Sequence, residues 1–421
     1  MRNLRTRPKR WLALAAVAAV LAIACGGDGA ALAAPRLKVI YTFKNVRGVD
    51  PTSSLIADAA GNLYGTTLFG GRFGKGVVFA LSPPVAGKSA WTGNVLHDFD
   101  GADGALPNGG LIVDSAGALY GTTSAGGADG FGVVFKLTPP ANGKTVWAEK
   151  VLTSFPETVG LAPSSGVIAD SAGNLYGTAA PARCCGAGLG RVFELSPPVA
   201  GQTAWTLTDL FSFAGLDGAV PAGSLIADHA GNLYGTTVSG GPANYGVVYE
   251  LSPPAAGQTA WTHTVLHFFD NRDGVNPSAG LFMDSAGNIY GMTPYGGSHG
   301  DGVVYELSPP VAGQTAWAHK VLHYFDNTDG DRPYGSLMAD GLGNLYGTTE
   351  AGGADGLGVV FELSPPVAGR THWTEKVLHA FTGLEGDPYG NLLADEAGNF
   401  YGTTWGGGPH YDGVVFKLTQ R

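Results

Sequence analysis

Apolar positions in this chain come in short runs, each ended by Gly, Pro or an Asp-x-x-Gly turn, and none keeps the three-to-four spacing of an amphipathic helix. The runs are rich in Val, Leu, Ile, Tyr, Phe and Thr and poor in helix formers, which reads as short β-strands. One heptad organises them: Gly61-Asn62-Leu63-Tyr64-Gly65-Thr66-Thr67. Its tyrosine recurs as Tyr120, Tyr176, Tyr234, Tyr290, Tyr346 and Tyr401, at intervals of 56, 56, 58, 56, 56 and 55 residues. A period of this size marks a stack of like supersecondary units, and the strand composition excludes helical repeats.

In the second unit, residues 110–114 predict a first strand, turned at Ser115-Ala116-Gly117 into a second at 119–123. A glycine-rich loop leads to a third strand at 132–137, Pro139-Pro140 stops the pairing, and a fourth strand follows at 150–155. Four antiparallel strands per unit make a propeller blade. The second and third strands are apolar on consecutive positions, so both faces of each blade are expected to be buried against neighbours. The last unit ends on its third strand, residues 413–418, while residues 37–43 at the other end match a fourth strand such as 376–381. The expected fold is therefore all-β: a seven-bladed β-propeller of four-stranded antiparallel blades, closed by an N-terminal strand that completes the last blade and hides the open edges.

Residues 1–33 are of another kind. A basic run (Arg2, Arg5, Arg7, Lys9, Arg10) precedes an apolar stretch from Trp11 to Ala24, the pattern of a secretory signal. That stretch is shorter than the roughly 20 residues that span a bilayer. Two cleavage sites fit. Cleavage before Cys25, after Ala22-Ile23-Ala24, would be of lipoprotein type and leave a lipid on that cysteine. Cleavage before Ala34, after Ala31-Leu32-Ala33, would release a free chain. The expected mature protein is one propeller domain over residues 34–421, secreted or held at a bacterial cell surface or in the periplasm, monomeric, and touching a membrane only through Cys25. The whole chain has a net charge of −10, and loss of five basic residues and Asp28 with the leader leaves 19 Lys+Arg against 33 Asp+Glu. Such a surface offers no basic stripe to a nucleic acid, so none is expected as a partner.

The strings Gly-Asn-Leu-Tyr-Gly-Thr-Thr, Gly-Gly-x-x-x-x-Gly-Val-Val-Phe-x-Leu-Ser-Pro-Pro and Val-Leu-His-x-Phe recur in fixed order over residues 37–418 and resemble the GloVer (Gloeo_Verruco) tandem-repeat family. The resemblance implies a secreted or surface-anchored bacterial chain and brings no catalytic residue with it.

Residues repeated in every unit are expected to serve the blade. Asp58, Asp114, Asp170, Asp228, Asp284, Asp340 and Asp395 stand six residues before their tyrosines and read as turn caps. The tryptophans that open the fourth strands (Trp91, Trp147 and their equivalents) read as packing over the outer edge of the blades, and His97, His267, His323 and His379 as structural histidines. Gly296-Gly297-Ser298-His299-Gly300 spells a Gly-x-Ser-x-Gly string, but a nucleophile elbow needs a following helix and none is predicted. Cys184 and Cys185 are adjacent and suit a vicinal disulfide. No cofactor motif is present. The loops with Asp100 and Asp103, Asp270 and Asp273, and Asp326 and Asp329 offer paired carboxylates to calcium, which takes six to eight oxygens.

The residues that break the repeat are the ligand-binding candidates. Loops on one face of a propeller gather around the axis, and there the chain places Trp405, His410, Tyr411, Asp412, His299, Asp301, Tyr295, Tyr245 and Arg332, with Phe69, Glu350, Tyr334 and Tyr389 beside them. Aromatic rings mixed with charged groups suit a saccharide. The expected function is extracellular binding or scaffolding through a glycan- or protein-binding face. The alternative is a polysaccharide-active lyase or hydrolase, with Asp301, His299, His410 or Asp412 as acid and base.

Overall fold

The computed structural model describes residues 35–141, 146–182, 188–311, 313–367 and 369–420. Cys25, Cys184, Cys185 and both expected cleavage sites lie outside them. Seven antiparallel sheets follow one another along the chain, each a blade of a β-propeller. In the second blade the strands are Ile112–Val113, Leu119–Thr123, Val133–Thr138 and Ala148–Ser154, paired in that order. Ring closure follows the sequence reading: strand Arg36–Thr42 pairs antiparallel with Val414–Thr419, from Arg36 opposite Thr419 to Thr42 opposite Val414. Phe43 extends the join, its N–H donating to the Gly413 carbonyl at 3.0 Å.

Consecutive apolar residues serve opposite seams. Val133 packs toward the first blade with Phe99 and Leu111, while Val134 packs toward the third with Phe155 and Phe193. The heptad is then legible residue by residue. Asp114 accepts the N–H groups of Ala116 and Ala118 at 2.9 Å and the Tyr120 hydroxyl at 3.0 Å, so the turn and the tyrosine are fixed together. Gly121 lies under the Phe135 ring, where a Cβ would stand 2.6 Å from Cζ. Thr122 donates its hydroxyl to the Ser165 carbonyl of the next blade at 2.8 Å, and Thr403 does the same across the closing seam to Ser53 at 3.3 Å. Thr123 donates to the Ala125 carbonyl at 2.9 Å and accepts the Val133 N–H at 3.1 Å, which shapes the start of the following loop.

The tryptophans are half-buried across the seams, Trp147 edge-on to Tyr64 of the preceding blade and Trp91 edge-on to Tyr401. The histidines have carboxylate partners: His97 with Asp103 at 2.8 Å, His267 with Asp273 at 2.9 Å, His323 with Asp329 at 3.0 Å and His379 with Glu385 at 2.9 Å.

One element differs from expectation. The innermost strand of each blade, read from sequence as about five residues, keeps only a two-residue ladder such as Ile112–Val113. A proline (Pro51, Pro107 and their equivalents) enters this segment without a donor N–H, and the residue before it takes positive φ in five blades, as at Leu106 (56°), Val220 (58°) and Arg332 (55°). The chain pairs again before that break only as short pieces such as Leu161–Pro163. Between the two pieces small residues, among them Ser53, Gly109 and Ser165, line the axis.

Candidate functional site

Three positions of each unit surround one mouth of the axial opening. The residue after the blade proline is Thr52, Asn108, Ser164, Ala222 and Ser278 in the first five blades, but Tyr334 and Tyr389 in the last two. The residue after the heptad's closing pair is small or aliphatic in the first five, but Glu350 and Trp405 in the last two. The residue before the proline is aliphatic at Leu106, Ala162 and Val220, and charged at Arg332, Asp387 and Asp50. Side chains able to do chemistry therefore occupy one arc, over blades six, seven and one. Opposite them the wall is low, and the cavity so framed measures about 540 Å³. On that low wall Asn108 Oδ1 and Ser278 Oγ are buried with no hydrogen-bond partner among the described residues.

On the tall arc the rings of Tyr334 and Tyr389 stack at 5.3 Å and 21°. Tyr295 stands edge-on to Tyr334, and their hydroxyls share a 2.8 Å hydrogen bond. Trp405 is 46% exposed and pairs in register with Asp387. Arg332 Nε lies 3.4 Å from Asp331 Oδ2 and 3.7 Å from Glu350 Oε2. The two carboxylate oxygens are thus no more than about 7 Å apart.

Burial raises the pKa of Glu350; Arg332 opposes it, and Asp387 and Asp331 add to it. Burial likewise raises Asp331, opposed by Arg332 and reinforced by Asp301. It raises Asp387 against the pull of Arg332, and Asp50 against the Trp405 hydrogen bond, with Asp412 adding to the rise. The Tyr334 hydroxyl is pushed up by burial and then by Tyr295.

Among the sequence candidates, Trp405, Tyr295, Arg332, Asp301 and Asp412 belong to this group, together with Phe69, Glu350, Tyr334 and Tyr389. His410 and Tyr411 are exposed on the loop that carries Asp412. His299 is exposed beside Asp326. Tyr245 is half-buried against the core between blades four and five. Asp50, Asp331 and Asp387 were not singled out by sequence, though aligning the units on their prolines exposes the columns in which they stand.

In the loops considered for calcium, Asp103 Oδ2 meets His97 and its Oδ1 accepts the Asp100 N–H, while Asp100 Oδ1 accepts the Ala102 N–H. The same pattern recurs at Asp270 and Asp273, and the Asp326 N–H donates to Asp329. His267, Asp273 and His319 bring three ligand-type atoms together, but the two imidazoles are parallel within 5° at 3.9 Å. An ion shared between rings so stacked would sit outside both ring planes, away from the lone pairs, so the cluster is a seam contact. Burial lowers the His319 pKa to about 4, which keeps that ring neutral for stacking.

Solved structures of low identity resemble this chain. The extracellular domain of a one-component system from B. thetaiotaomicron is 11% identical with a TM-score of 0.51, over 91% of this chain and 42% of that one. The PQQ-bound aldose sugar dehydrogenase of Streptomyces coelicolor is 14% identical with a TM-score of 0.45, over 79% and 99% of the two chains. The polysaccharide lyase Uly1 is 11% identical with a TM-score of 0.45, over 91% and 92%. Of these, only the match at a TM-score of 0.51 speaks to the fold, and at 11% identity it shows the fold alone. No curated protein matches this chain in sequence. The Gloeobacter/Verrucomicrobia repeat matches residues 30–149, 94–263 and 257–421, and the chain belongs to that family.

Proposed function

We propose that this protein is an extracellular or cell-surface binding protein that holds a saccharide at the axial mouth. The observation that carries the reading is the gathering of non-repeated aromatic side chains, Tyr334, Tyr389 and Trp405 with Tyr295 against Tyr334, on one arc of a mouth walled elsewhere mostly by Ser, Gly and Ala. Sugar rings present C–H faces that pack on aromatic rings, and their hydroxyls take up carboxylates and guanidinium groups at the edge. A glycan array read with the mature chain tests it. Tyr334→Ala and Trp405→Ala are expected to abolish the signal with melting temperature unchanged within a few degrees, and an array hit that survives both substitutions rejects this mouth as the site.

A second reading, a polysaccharide-active enzyme, is favoured by the pair Asp331 and Glu350, whose oxygens lie within about 7 Å of each other and whose pKa values are both raised. In that case Glu350 is the better acid or base than the loop residues His299 and His410. Reducing-end and unsaturated-product assays on array hits separate the two readings: turnover lost in Glu350→Gln supports the enzyme, binding without turnover the binding protein.

A further inference from the structure

We propose that the saccharide bound at this mouth carries a protonated amine, as a 2-amino sugar does, with its ammonium group placed between the Tyr334 and Tyr389 rings and the Glu350 carboxylate. This rests on the saccharide reading above and adds a charge class to it.

The argument is one of imbalance. Carboxylates crowd the tall arc in two groups: Asp301, Asp331, Glu350 and Asp387 in one, and Asp50 with Asp412 in the other. Arg332 is the cation that bears on Asp331, Glu350 and Asp387. Its Nε makes only long contacts, 3.4 and 3.7 Å, and has no hydrogen-bond partner among the described residues. Carboxylates taken partly out of water with so little compensation stay costly until a cation joins them. The raised pKa values of Glu350, Asp331, Asp387 and Asp50 record the same deficit.

The aromatic side of the mouth has matching chemistry. Tyr334, Tyr389 and Trp405 line the same cavity as Glu350. Ring faces attract a cation through their quadrupoles, most strongly in a site shielded from water. An ammonium also brings donors to the Glu350 carboxylate, whose nearest cationic atom, Arg332 Nε, stands 3.7 Å away. A uronate or sulfated sugar meets the opposite situation: its charge would face this carboxylate group with only Arg332 in support. The mouth is thus built to reject acidic glycans as well as to accept basic ones.

Titration calorimetry with three oligosaccharides of equal length tests this: glucosamine oligomers, their N-acetylated counterparts and oligogalacturonate. The amine form is expected to bind about ten- to a hundredfold tighter than the acetylated one, the worth of one charge-assisted hydrogen bond. Its affinity should fall as salt is raised from 50 to 500 mM, and oligogalacturonate should give no heat of binding. In Glu350→Gln and Asp331→Asn the ratio of amine to acetyl affinity should narrow toward one. Acetylated or acidic oligomers binding as tightly as the amine overturn the proposal and leave the saccharide reading standing. Silence from all three, with other glycans positive on the array, also overturns the proposal alone, whereas a wholly silent array removes the saccharide reading and the proposal with it.

Discussion

Phe43 is the sharpest test of how the ring is held shut. It follows the N-terminal strand, is 1% exposed, and lies edge-on to Tyr41 and Phe79, each with ring centroids 5.0 Å away. Around it are Leu55, Val77 and Leu81 of the first blade and Tyr401 and Val415 of the last. Truncating a buried phenylalanine removes its transfer energy and leaves a cavity, together about 3–5 kcal/mol. Phe325 occupies the same place between blades five and six, fully buried and edge-on to Phe361 at 5.2 Å. If the N-terminal strand is an integral part of the last blade, Phe43→Ala and Phe325→Ala should cost the same within about 1 kcal/mol. A strand merely resting on the edge would fray before the ring opens, and its truncation would cost less than about 1 kcal/mol. Urea unfolding of the mature chain, with midpoint and slope followed by tryptophan fluorescence, measures both variants. Phe43→Ala near zero beside Phe325→Ala at full cost would refute closure by this strand. Deleting residues 35–43 goes further, because it bares the Val414–Thr419 edge, and concentration-dependent aggregation is then expected.

Other consequences follow from the same contacts. A Cβ on Gly93 would stand 2.5 Å from Tyr41 Cζ, so Gly93→Ala should cost about 1–3 kcal/mol, and adding Tyr41→Leu should recover most of it; strictly additive losses count against the seam fit. Thr349→Val keeps shape but loses the hydroxyl that donates to Ala351 at 2.8 Å and accepts from Val359 at 3.1 Å, an expected loss of about 1–3 kcal/mol by denaturant titration, with no loss refuting the role. Glu149 faces His97, Asp103 and Asp100, and its pKa is raised from 4.5 to about 7, mainly by burial. The folded state therefore keeps a proton that the unfolded chain has given up, so this group's stabilisation is full below pH 4.5 and lost as pH rises to about 7. Glu149→Gln should melt like the parent at pH 4.5 and above it at pH 8; a difference independent of pH would contradict the burial of this carboxyl.

Much of this was legible in sequence because repetition multiplies a weak signal. A single Gly-x-Leu-Tyr-Gly-Thr-Thr says little, but seven in step, with a fourth strand missing at one end and present at the other, leave ring closure as the economical arrangement. The split innermost strand was not legible from strand propensity, since the positive φ before five of the prolines goes with contacts to neighbouring loops: the Leu106 N–H donates to Lys75 O and the Arg332 N–H to Asp301 O, both in the preceding blade. The aromatic half of the site was visible as residues out of pattern. Of its acidic half, Asp301, Asp412 and Glu350 were visible in the same way, whereas Asp50, Asp331 and Asp387 were hidden because Asp is common in turns and stand out only in the columns fixed by the prolines.

Those columns also say how such a site can sit on so regular a frame. Asp50, Leu106, Val220, Asn276 and Arg332 all hold φ between 55° and 59° before a proline, a conformation that favours glycine, yet none of the seven equivalents is glycine. Each such residue costs about 1–3 kcal/mol of local strain, which the loop hydrogen bonds on either side must offset. A purely structural position under that strain would be expected to relax to Gly or Asn. Here the backbone geometry recurs from blade to blade while the side chain runs from aliphatic to acid to arginine. The frame thus fixes where a side chain is presented and leaves free which one it is. That separation lets one arc of the mouth, Arg332 and Asp50 with their aromatic neighbours, take on ligand chemistry without disturbing the blades that carry it.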